Sequence, residues 1–130
     1  MTELDLGALE SLARSVREHA HAPYSDFRVG AAVRARSGKT YVGCNVENAS
    51  FGATVCAERN AVAAAVAAGE REIVAVAVYT EADAPALPCG ICRQVIQEFG
   101  PDAVVVSTTP TARKQTTLRE LLPEAFVFRR

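Results

Sequence analysis

The sequence predicts a three-layer α/β/α domain in which a mixed central sheet of about five strands lies between helices. Helical and strand-like segments alternate in the order α-β-β-α-β-α-β, which favours helices on both faces of one sheet. Residues 73–79 form a continuous apolar run rich in β-branched residues, typical of a strand buried on both faces. With 130 residues, 49% of them hydrophobic, we expect residues 1–130 to form a single domain.

The first half of the chain predicts a helix, a hairpin and a second helix. Leucine, alanine and valine recur at helical spacing over residues 3–20, which indicates an amphipathic helix. Residues 29–35 and 40–45 are typical of two strands joined across a turn at Ser37-Gly38-Lys39. The alanine-rich segment 57–68 has high helix propensity and is followed by Gly69, a common helix stop.

The second half predicts the remaining strands and a third helix. Pro88 precedes a helix over about 90–99, which Gly100-Pro101 ends. Residues 103–107 indicate another buried strand. The tail predicts one short strand near Gln115 and a helical turn over 118–122.

Composition and charge argue against two classes of partner. The formal net charge is −1, so no basic field favours nucleic acid. No stretch reaches the roughly 18 apolar residues of a membrane span, and residues 1–5 lack the basic start and apolar run of a signal peptide. Four cysteines in such a chain favour reduced thiols and metal binding over disulfides. We therefore expect a cytoplasmic protein with no nucleic-acid or membrane partner.

Two short motifs predict a metal centre. Cys56 lies in the sequence Cys-Ala-Glu, and about thirty residues later Cys89 and Cys92 lie in Pro-Cys-Gly-Ile-Cys. On the first turn of a helix, residues three apart point the same way, so these two sulfurs can share one ion. Three thiolates leave Zn²⁺ an open fourth position for water, which is typical of a catalytic site. The prediction is one zinc ion per chain.

Glu58 and Arg59 follow the first cysteine directly and predict the chemistry around the metal. Glu58 lies two residues after Cys56, so it can face the open position and act as acid and base without binding the ion. Three thiolates and Zn²⁺ sum to a charge of −1, which the Arg59 guanidinium would offset by donating to the sulfurs. The alternative is that both residues are exposed on an alanine-rich helix.

Cys44 leaves a second metal hypothesis open. As a fourth thiolate it would close the coordination sphere, and the chain would then be a non-catalytic structural zinc module. The other interpretation is that Cys44 ends a strand and fills core space.

Longer segments around these motifs resemble one enzyme family. The sequences C-A-E-R at 56–59 and P-C-G-I-C-R-Q-V at 88–95 resemble the zinc-dependent nucleoside and base deaminases. An all-cysteine site is typical of the small homotetrameric cytidine deaminases, and segments 22–32, 43–49 and 120–126 are similar to that family as well. The resemblance implies a cytidine deaminase-like catalytic domain in a homotetramer with active sites shared between subunits.

The resemblance also implies roles for residues outside the metal motifs. Asn45 and Glu47 would hold the ribose hydroxyls, and on a strand their side chains would indeed share one face. Phe27 would pack against the pyrimidine, and the main-chain groups of Ala57 and Cys89 would frame the base edge. Phe126 would reach the active site of a neighbouring subunit, although composition alone makes either phenylalanine an ordinary core candidate.

The implied reaction is hydrolytic deamination of cytidine, and of 2′-deoxycytidine, to the uridine product and ammonia in pyrimidine salvage. A deaminase of another aminopyrimidine nucleoside, such as blasticidin S, is the nearer alternative. One departure from the family concerns Phe51, which stands where tyrosine is common and lacks the hydroxyl for a polar contact to the 5′ end of the nucleoside.

Overall fold

The computed structural model describes residues 5–129, which contain one five-stranded mixed sheet. The strands are β1 (Val29–Ala35), β2 (Thr40–Cys44), β3 (Ile73–Thr80), β4 (Val104–Thr108) and β5 (Arg113–Thr117). Their order across the sheet is β2-β1-β3-β4-β5. Only β3 and β4 are parallel, while the other neighbours pair antiparallel. Parallel pairing requires a crossover connection, and here it runs through a helix.

Helices cover both faces of the sheet, so the predicted three-layer α/β/α class is confirmed. They are α1 (Leu6–Val16), α2 (Ala57–Ala67), α3 (Gly90–Phe99) and the single turn α4 (Leu118–Leu121). The Asp5 side chain caps α1 by accepting a hydrogen bond from the main-chain N–H of Ala8 at 3.0 Å. None of the helices within residues 5–129 is long and apolar enough to cross a membrane.

Most element ends are identical to the predicted ones or lie within one residue of them. The main exception is the predicted helix over 3–20, which is α1 followed by a short 3-10 turn at Arg17–His19. The first two residues of that predicted range lie outside the described part of the chain. The strand predicted to run through residue 45 ends at Cys44, so Asn45 follows the sheet directly.

Side chains of alternating strand residues divide the core into two layers. On one face, Val76 and Val78 of β3 pack with Val62 of α2 and Ile96 of α3. On the other face, strand alanines and Tyr79 pack against α1 through Leu9 and Ala13. Because both faces of β3 are covered, its continuous apolar run has the burial that the sequence predicts.

One edge of the sheet gathers the segments that form the pocket. Because β1 is antiparallel to both neighbours, its first residue pairs with the last residue of β3, Val29 with Thr80. Gly30 pairs with Cys44 at the end of β2. The chain before β1, after β2 and after β3 therefore emerges at the same edge of the sheet.

Candidate active site

Three cysteine sulfurs meet at the N-termini of two helices. Cys56 is the N-cap residue of α2, and Cys89 is the N-cap residue of α3. Cys92 lies one turn further along α3 and is fully buried. The three Sγ atoms all lie within 4.8 Å of one another. The structure thus brings together all three cysteines that the two motifs nominate.

The spacing of these sulfurs fits a tetrahedral zinc ion. Zn–S bonds of about 2.3 Å place two ligand sulfurs about 3.8 Å apart. The Sγ atoms of Cys89 and Cys92 are 3.4 Å apart, and all four cysteines of the chain are free thiols rather than disulfides. Zinc at this position would be held by thiolates of Cys56, Cys89 and Cys92.

A neighbouring thiol and one cation favour negative charge on the Cys56 sulfur. A hydrogen bond from Cys92, together with donation by Arg59, lowers the pKa of Cys56 to about 5. The same contact with Cys56, with burial, raises the pKa of Cys92, so Cys92 holds the shared proton. A metal ion would displace that proton on binding. The cluster is therefore predisposed to exchange protons for a divalent cation.

Arg59 lies beside the thiolates, as the sequence predicts. Its Nη2 lies 4.0 Å from the Cys56 sulfur and donates to the main-chain carbonyl of Thr54 at 3.2 Å. The contact with Cys56 raises the pKa of Arg59, so the guanidinium stays charged. This geometry favours the interpretation that Arg59 offsets the negative charge of the thiolates, and it disfavours the alternative that Arg59 is an exposed helix residue.

Glu58 is a buried carboxylate next to the sulfur cluster. It lies in the first turn of α2 and is only 6% exposed. Burial raises the pKa of Glu58 to about 7, with the negative charge of Cys56 adding to the effect and Arg59 opposing it. A group with this pKa can accept or release a proton near neutral pH. Its burial argues against the alternative of a surface glutamate.

Cys44 does not join the three-sulfur group. Within residues 5–129, the metal-competent cluster contains Cys56, Cys89 and Cys92. Cys44 is half-buried at the end of β2, where its carbonyl accepts from the Asn60 side chain at 2.8 Å and burial raises the pKa of its thiol. The fourth-ligand hypothesis therefore finds no support in this geometry.

Asn45 joins the end of β2 to the chain before β1. Its Oδ1 accepts from the main-chain N–H of Val29 at 2.9 Å, and its Nδ2 donates to the carbonyl of Phe27 at 2.8 Å. Asn45 is only 8% exposed. One amide hydrogen and one lone pair stay available to a ligand. Asn45 thus shapes the Phe27 segment as well as facing the pocket.

Glu47 shares the pocket wall with Asn45, although neither lies in a regular strand. Val46 between them forms isolated bridges with His21 on one side and Val55 on the other. This extended conformation directs the side chains of residues 45 and 47 to the same face. The predicted alternation is therefore present outside the sheet proper.

A single cavity connects the two groups of residues. It has a volume of about 300 Å³, and its lining includes Phe27, Asn45, Glu47, Cys56, Ala57 and Glu58. Phe27 is 44% exposed at this wall. Phe126 is different, since it is 69% exposed and lies outside the lining of its own chain's cavity.

Three residues that the sequence analysis did not nominate also support the pocket. Arg93 donates to the carbonyl of Pro88 at 2.7 Å and to that of Leu121 at 2.8 Å, which ties the cysteine turn to α4. The Ser107 hydroxyl donates to the carbonyl of Ala86 in the pocket wall at 2.7 Å. Ser25 binds Glu47. Their partners lie more than twenty residues away for all but one of these bonds, so no local spacing could have indicated them.

Comparison with known proteins agrees with this geometry. Residues 6–108 match the family described as "Cytidine and deoxycytidylate deaminase zinc-binding region". A cytidine deaminase of Sporosarcina psychrophila is 43% identical over 125 residues, covering 95% of this chain and 92% of that protein. The chain belongs to this deaminase family.

Solved structures of the family share the fold over nearly the whole chain. A cytidine deaminase from Burkholderia pseudomallei aligns with a TM-score of 0.88 and 48% identity, covering 97% of this chain and all of that one. The cytidine deaminase from Mycobacterium tuberculosis aligns with a TM-score of 0.85 and 36% identity over 97% of this chain. Family membership confirms the resemblance, the enzyme class and zinc as the cofactor that the sequence predicts.

Proposed function

We propose that this protein hydrolytically deaminates cytidine and 2′-deoxycytidine, giving uridine or 2′-deoxyuridine and ammonia in pyrimidine salvage. One observation carries the proposal. The buried carboxylate of Glu58 and two members of the three-sulfur cluster, Cys56 and Cys89, line the same cavity as the polar pair Asn45 and Glu47. The first group suits hydrolysis at an aminopyrimidine, and the second suits a sugar.

Cys56, Cys89 and Cys92 would hold the zinc ion. When bound by three protein ligands, zinc lowers the pKa of water and so supplies a nucleophile at neutral pH. The positive charge of Arg59 offsets the excess negative charge of three thiolates, which keeps the ion an effective Lewis acid. The main chain of Ala57, fully buried in the first turn of α2, frames the base edge.

Glu58 is the acid and base of the reaction. Its carboxylate accepts a proton from the attacking water and delivers it to N3 of the pyrimidine, while oxygen adds to C4. Glu58 then takes the proton of the new hydroxyl at C4 and passes it to the amino group, which leaves as ammonia when the C4–N bond breaks and the C4 carbonyl forms. Burial of Glu58 favours both transfers, because it brings the pKa of this carboxyl close to working pH.

The other end of the cavity selects the nucleoside. Asn45 and Glu47 hold the ribose hydroxyls, and Phe27 packs against the pyrimidine ring. Within the described residues, the lining of this cavity contains no lysine or arginine but two carboxylates, Glu47 and Glu58. A phosphate would meet negative charge there, so a nucleoside is preferred to deoxycytidylate.

Assembly into a homotetramer completes each site. The exposed side chains of Phe126, Val127 and Phe128 support this, as does Ile91 on α3, because large apolar groups in water favour burial against a partner. Phe126 would enter the cavity of a neighbouring subunit. Sedimentation should give four times the chain mass of 13.8 kDa. We further infer a single catalytic domain over residues 1–130, acting in the cytoplasm.

A substrate panel tests the proposal directly. The purified zinc-loaded protein is incubated with cytidine, 2′-deoxycytidine, cytosine, deoxycytidylate and blasticidin S, and ammonia release is measured for each. We expect release from the first two substrates and little from the other three. The Glu58→Gln variant, purified by the same procedure, controls for contaminating deaminases.

Other outcomes of the panel would replace the proposal. Release from blasticidin S alone would favour the antibiotic nucleoside as substrate. Release from deoxycytidylate alone would overturn the argument that the carboxylates of Glu47 and Glu58 disfavour a phosphate in this cavity. No release from any of the five, with zinc bound, would contradict the deaminase activity.

A further inference from the structure

The turn that precedes β1 binds both oxygens of the Glu47 carboxylate. Main-chain N–H groups of Tyr24 and Ser25 donate to its Oε1 at 2.9 and 3.2 Å. The Ser25 hydroxyl donates to its Oε2. Glu47 is thus held by three donors from two residues more than twenty positions away in the sequence.

The Ser25 hydroxyl is itself directed toward Glu47. Its Oγ accepts a hydrogen bond from the main-chain N–H of Phe27 at 3.0 Å. With a lone pair engaged there, the hydroxyl hydrogen is free to point at the carboxylate. Asp26, which lies between Ser25 and Phe27 in this turn, has a left-handed backbone conformation with a φ of 57°. Maintaining this uncommon conformation requires support from the surrounding contacts.

The same turn carries a residue of the cavity wall. Ser25, Phe27 and Glu47 all line the cavity. The hydrogen bond from Ser25 is the largest cause of a lowered pKa of Glu47, and the two main-chain N–H groups lower it further. Glu47 therefore faces the cavity as a fixed, ionised acceptor.

We propose that Ser25 is a positioning residue for the sugar end of the cavity, acting by locking the Glu47 carboxylate in the rotamer that accepts a ribose hydroxyl. The inference rests on the proposed function, in which Asn45 and Glu47 hold the ribose hydroxyls, and it assigns the 3′-hydroxyl to Glu47. Ser25 would determine how strongly a substrate with that hydroxyl is preferred over one without it. It has no part in the proton transfers at Glu58.

The chain offers a matched control for deleting this hydroxyl. Ser37 donates to Oε2 of Glu70 at 2.7 Å, in the hairpin turn far from the cavity. Ser25→Ala and Ser37→Ala each remove one hydroxyl that binds a glutamate, and they leave every main-chain donor in place. Ser25→Thr keeps the hydroxyl and serves as the rescue variant.

The first test compares cytidine with 3′-deoxycytidine in steady-state kinetics of the zinc-loaded protein. For Ser25→Ala we expect KM for cytidine to rise about 3–10-fold with kcat within twofold, because one charge-assisted hydrogen bond is lost. With 3′-deoxycytidine the same variant should change KM less than twofold. Ser25→Thr should recover most of the cytidine effect, and Ser37→Ala should match the unmodified protein.

Equal losses on both substrates would overturn the proposal, since they would indicate collapse of the turn rather than a fixed carboxylate. No change on either substrate would overturn it too. If Ser25→Ala does not fold, Ser25→Cys is measured in its place, because a thiol of similar size is a weaker donor.

A second readout does not depend on activity. A ¹³C NMR titration of the side-chain carboxyls, with the Glu47 resonance identified by its loss in Glu47→Gln, should show a higher pKa for Glu47 in Ser25→Ala than in the unmodified protein. An unchanged pKa of Glu47 in Ser25→Ala would contradict the proposal that Ser25 fixes this carboxylate. If the unmodified protein fails to deaminate cytidine, the proposed function fails, while this titration still decides whether Ser25 fixes Glu47.

Discussion

The metal end and the sugar end of the cavity are built by different means. At the metal end, the three cysteines, Glu58 and Arg59 all lie at the starts of two helices, and within each helix start residues two or three apart supply the geometry. At the sugar end, Phe27, Asn45 and Glu47 lie outside regular elements and depend on hydrogen bonds to residues far away in sequence. Within each helix start the side-chain directions at the metal end are set locally, and the tertiary fold brings the two starts together, whereas the contacts at the sugar end come from the tertiary fold itself.

Removing a cysteine should have the largest effect, and it should be confined to the metal end. Cys92→Ser replaces a buried thiolate with a hydroxyl, which is a poor zinc ligand, so bound zinc and deaminase activity should both fall to background. Elemental analysis of the purified protein gives zinc per chain, and ammonia release gives activity.

Cys44→Ser is the matched control, because this thiol lies outside the three-sulfur group. It should keep one zinc ion per chain and full activity. If Cys44→Ser lost the metal while Cys92→Ser retained it, the structural zinc module would be the better interpretation of the chain.

Removing the proton carrier should separate chemistry from metal binding within the same end. Glu58→Gln keeps the size of the side chain but can no longer accept a proton, so kcat should fall by at least roughly 10²–10⁴-fold. Zinc content should stay at the value of the unmodified protein. Exposed Glu98 on α3 provides the control Glu98→Gln, which should leave kcat unchanged. A Glu58→Gln variant with normal kcat would contradict the assignment.

Neutralising the carboxylate at the sugar end should weaken substrate binding and spare the metal. A hydrogen bond to a charged group contributes about 1.5–3 kcal/mol, so Glu47→Gln should lower kcat/KM for cytidine about 10–100-fold, chiefly through KM. The control is Glu70→Gln, which alters another glutamate that accepts hydroxyl donors, from Ser37 and Tyr41. Loss of zinc in Glu47→Gln would mean that the two ends are not independent.

The contrast between the ends explains what the sequence could predict. The elements of the sheet and their order follow from periodicity and from helix stops, so the sequence predicts the fold class and places most element ends within one residue. Spacing predicts the roles of the cysteine motifs and of Glu58, because side chains two or three residues apart at a helix start have known directions relative to one another. The left-handed conformation of Asp26 and the bond from Ser25 to Glu47 have no such local signal.

Long-range contacts also account for the residues that sequence reasoning did not find. Arg93 donates to the carbonyls of both Pro88 and Leu121, and Leu121 lies 28 residues after the arginine. Asn45 was predicted to face the sugar, yet both polar atoms of its side chain also bind the backbone before and at the start of β1. Roles of this kind depend on which segments meet at one edge of the sheet, and that is decided by strand pairing rather than by motif.

At Gly43, the strand that leads to the sugar end packs directly against the helix that begins at the metal end. It lies in β2, two residues before Asn45, and faces the first turns of α2, which carries Cys56 and Glu58. A Cβ at this position would lie 2.7 Å from the carbonyl oxygen of Ala57 and 2.8 Å from the carbonyl carbon of Asn60, and nearer still to the N–H nitrogen of Ala61. Only glycine permits so close an approach of the strand to the helix backbone.

Gly43→Ala should therefore have a smaller effect on catalysis than the preceding variants while lowering stability. Forcing a methyl group against helix backbone should reduce the free energy of unfolding by about 1–3 kcal/mol, measured by urea denaturation of the zinc-loaded protein. Gly52→Ala is the matched control, since a Cβ there meets no atom within 4 Å and stability should change little. Because the helix must shift away from β2, kcat and KM should both move by less than tenfold in Gly43→Ala. A variant in which only KM changed would show that the sugar end yields while the helix start stays in place, and unchanged stability would contradict the close packing itself.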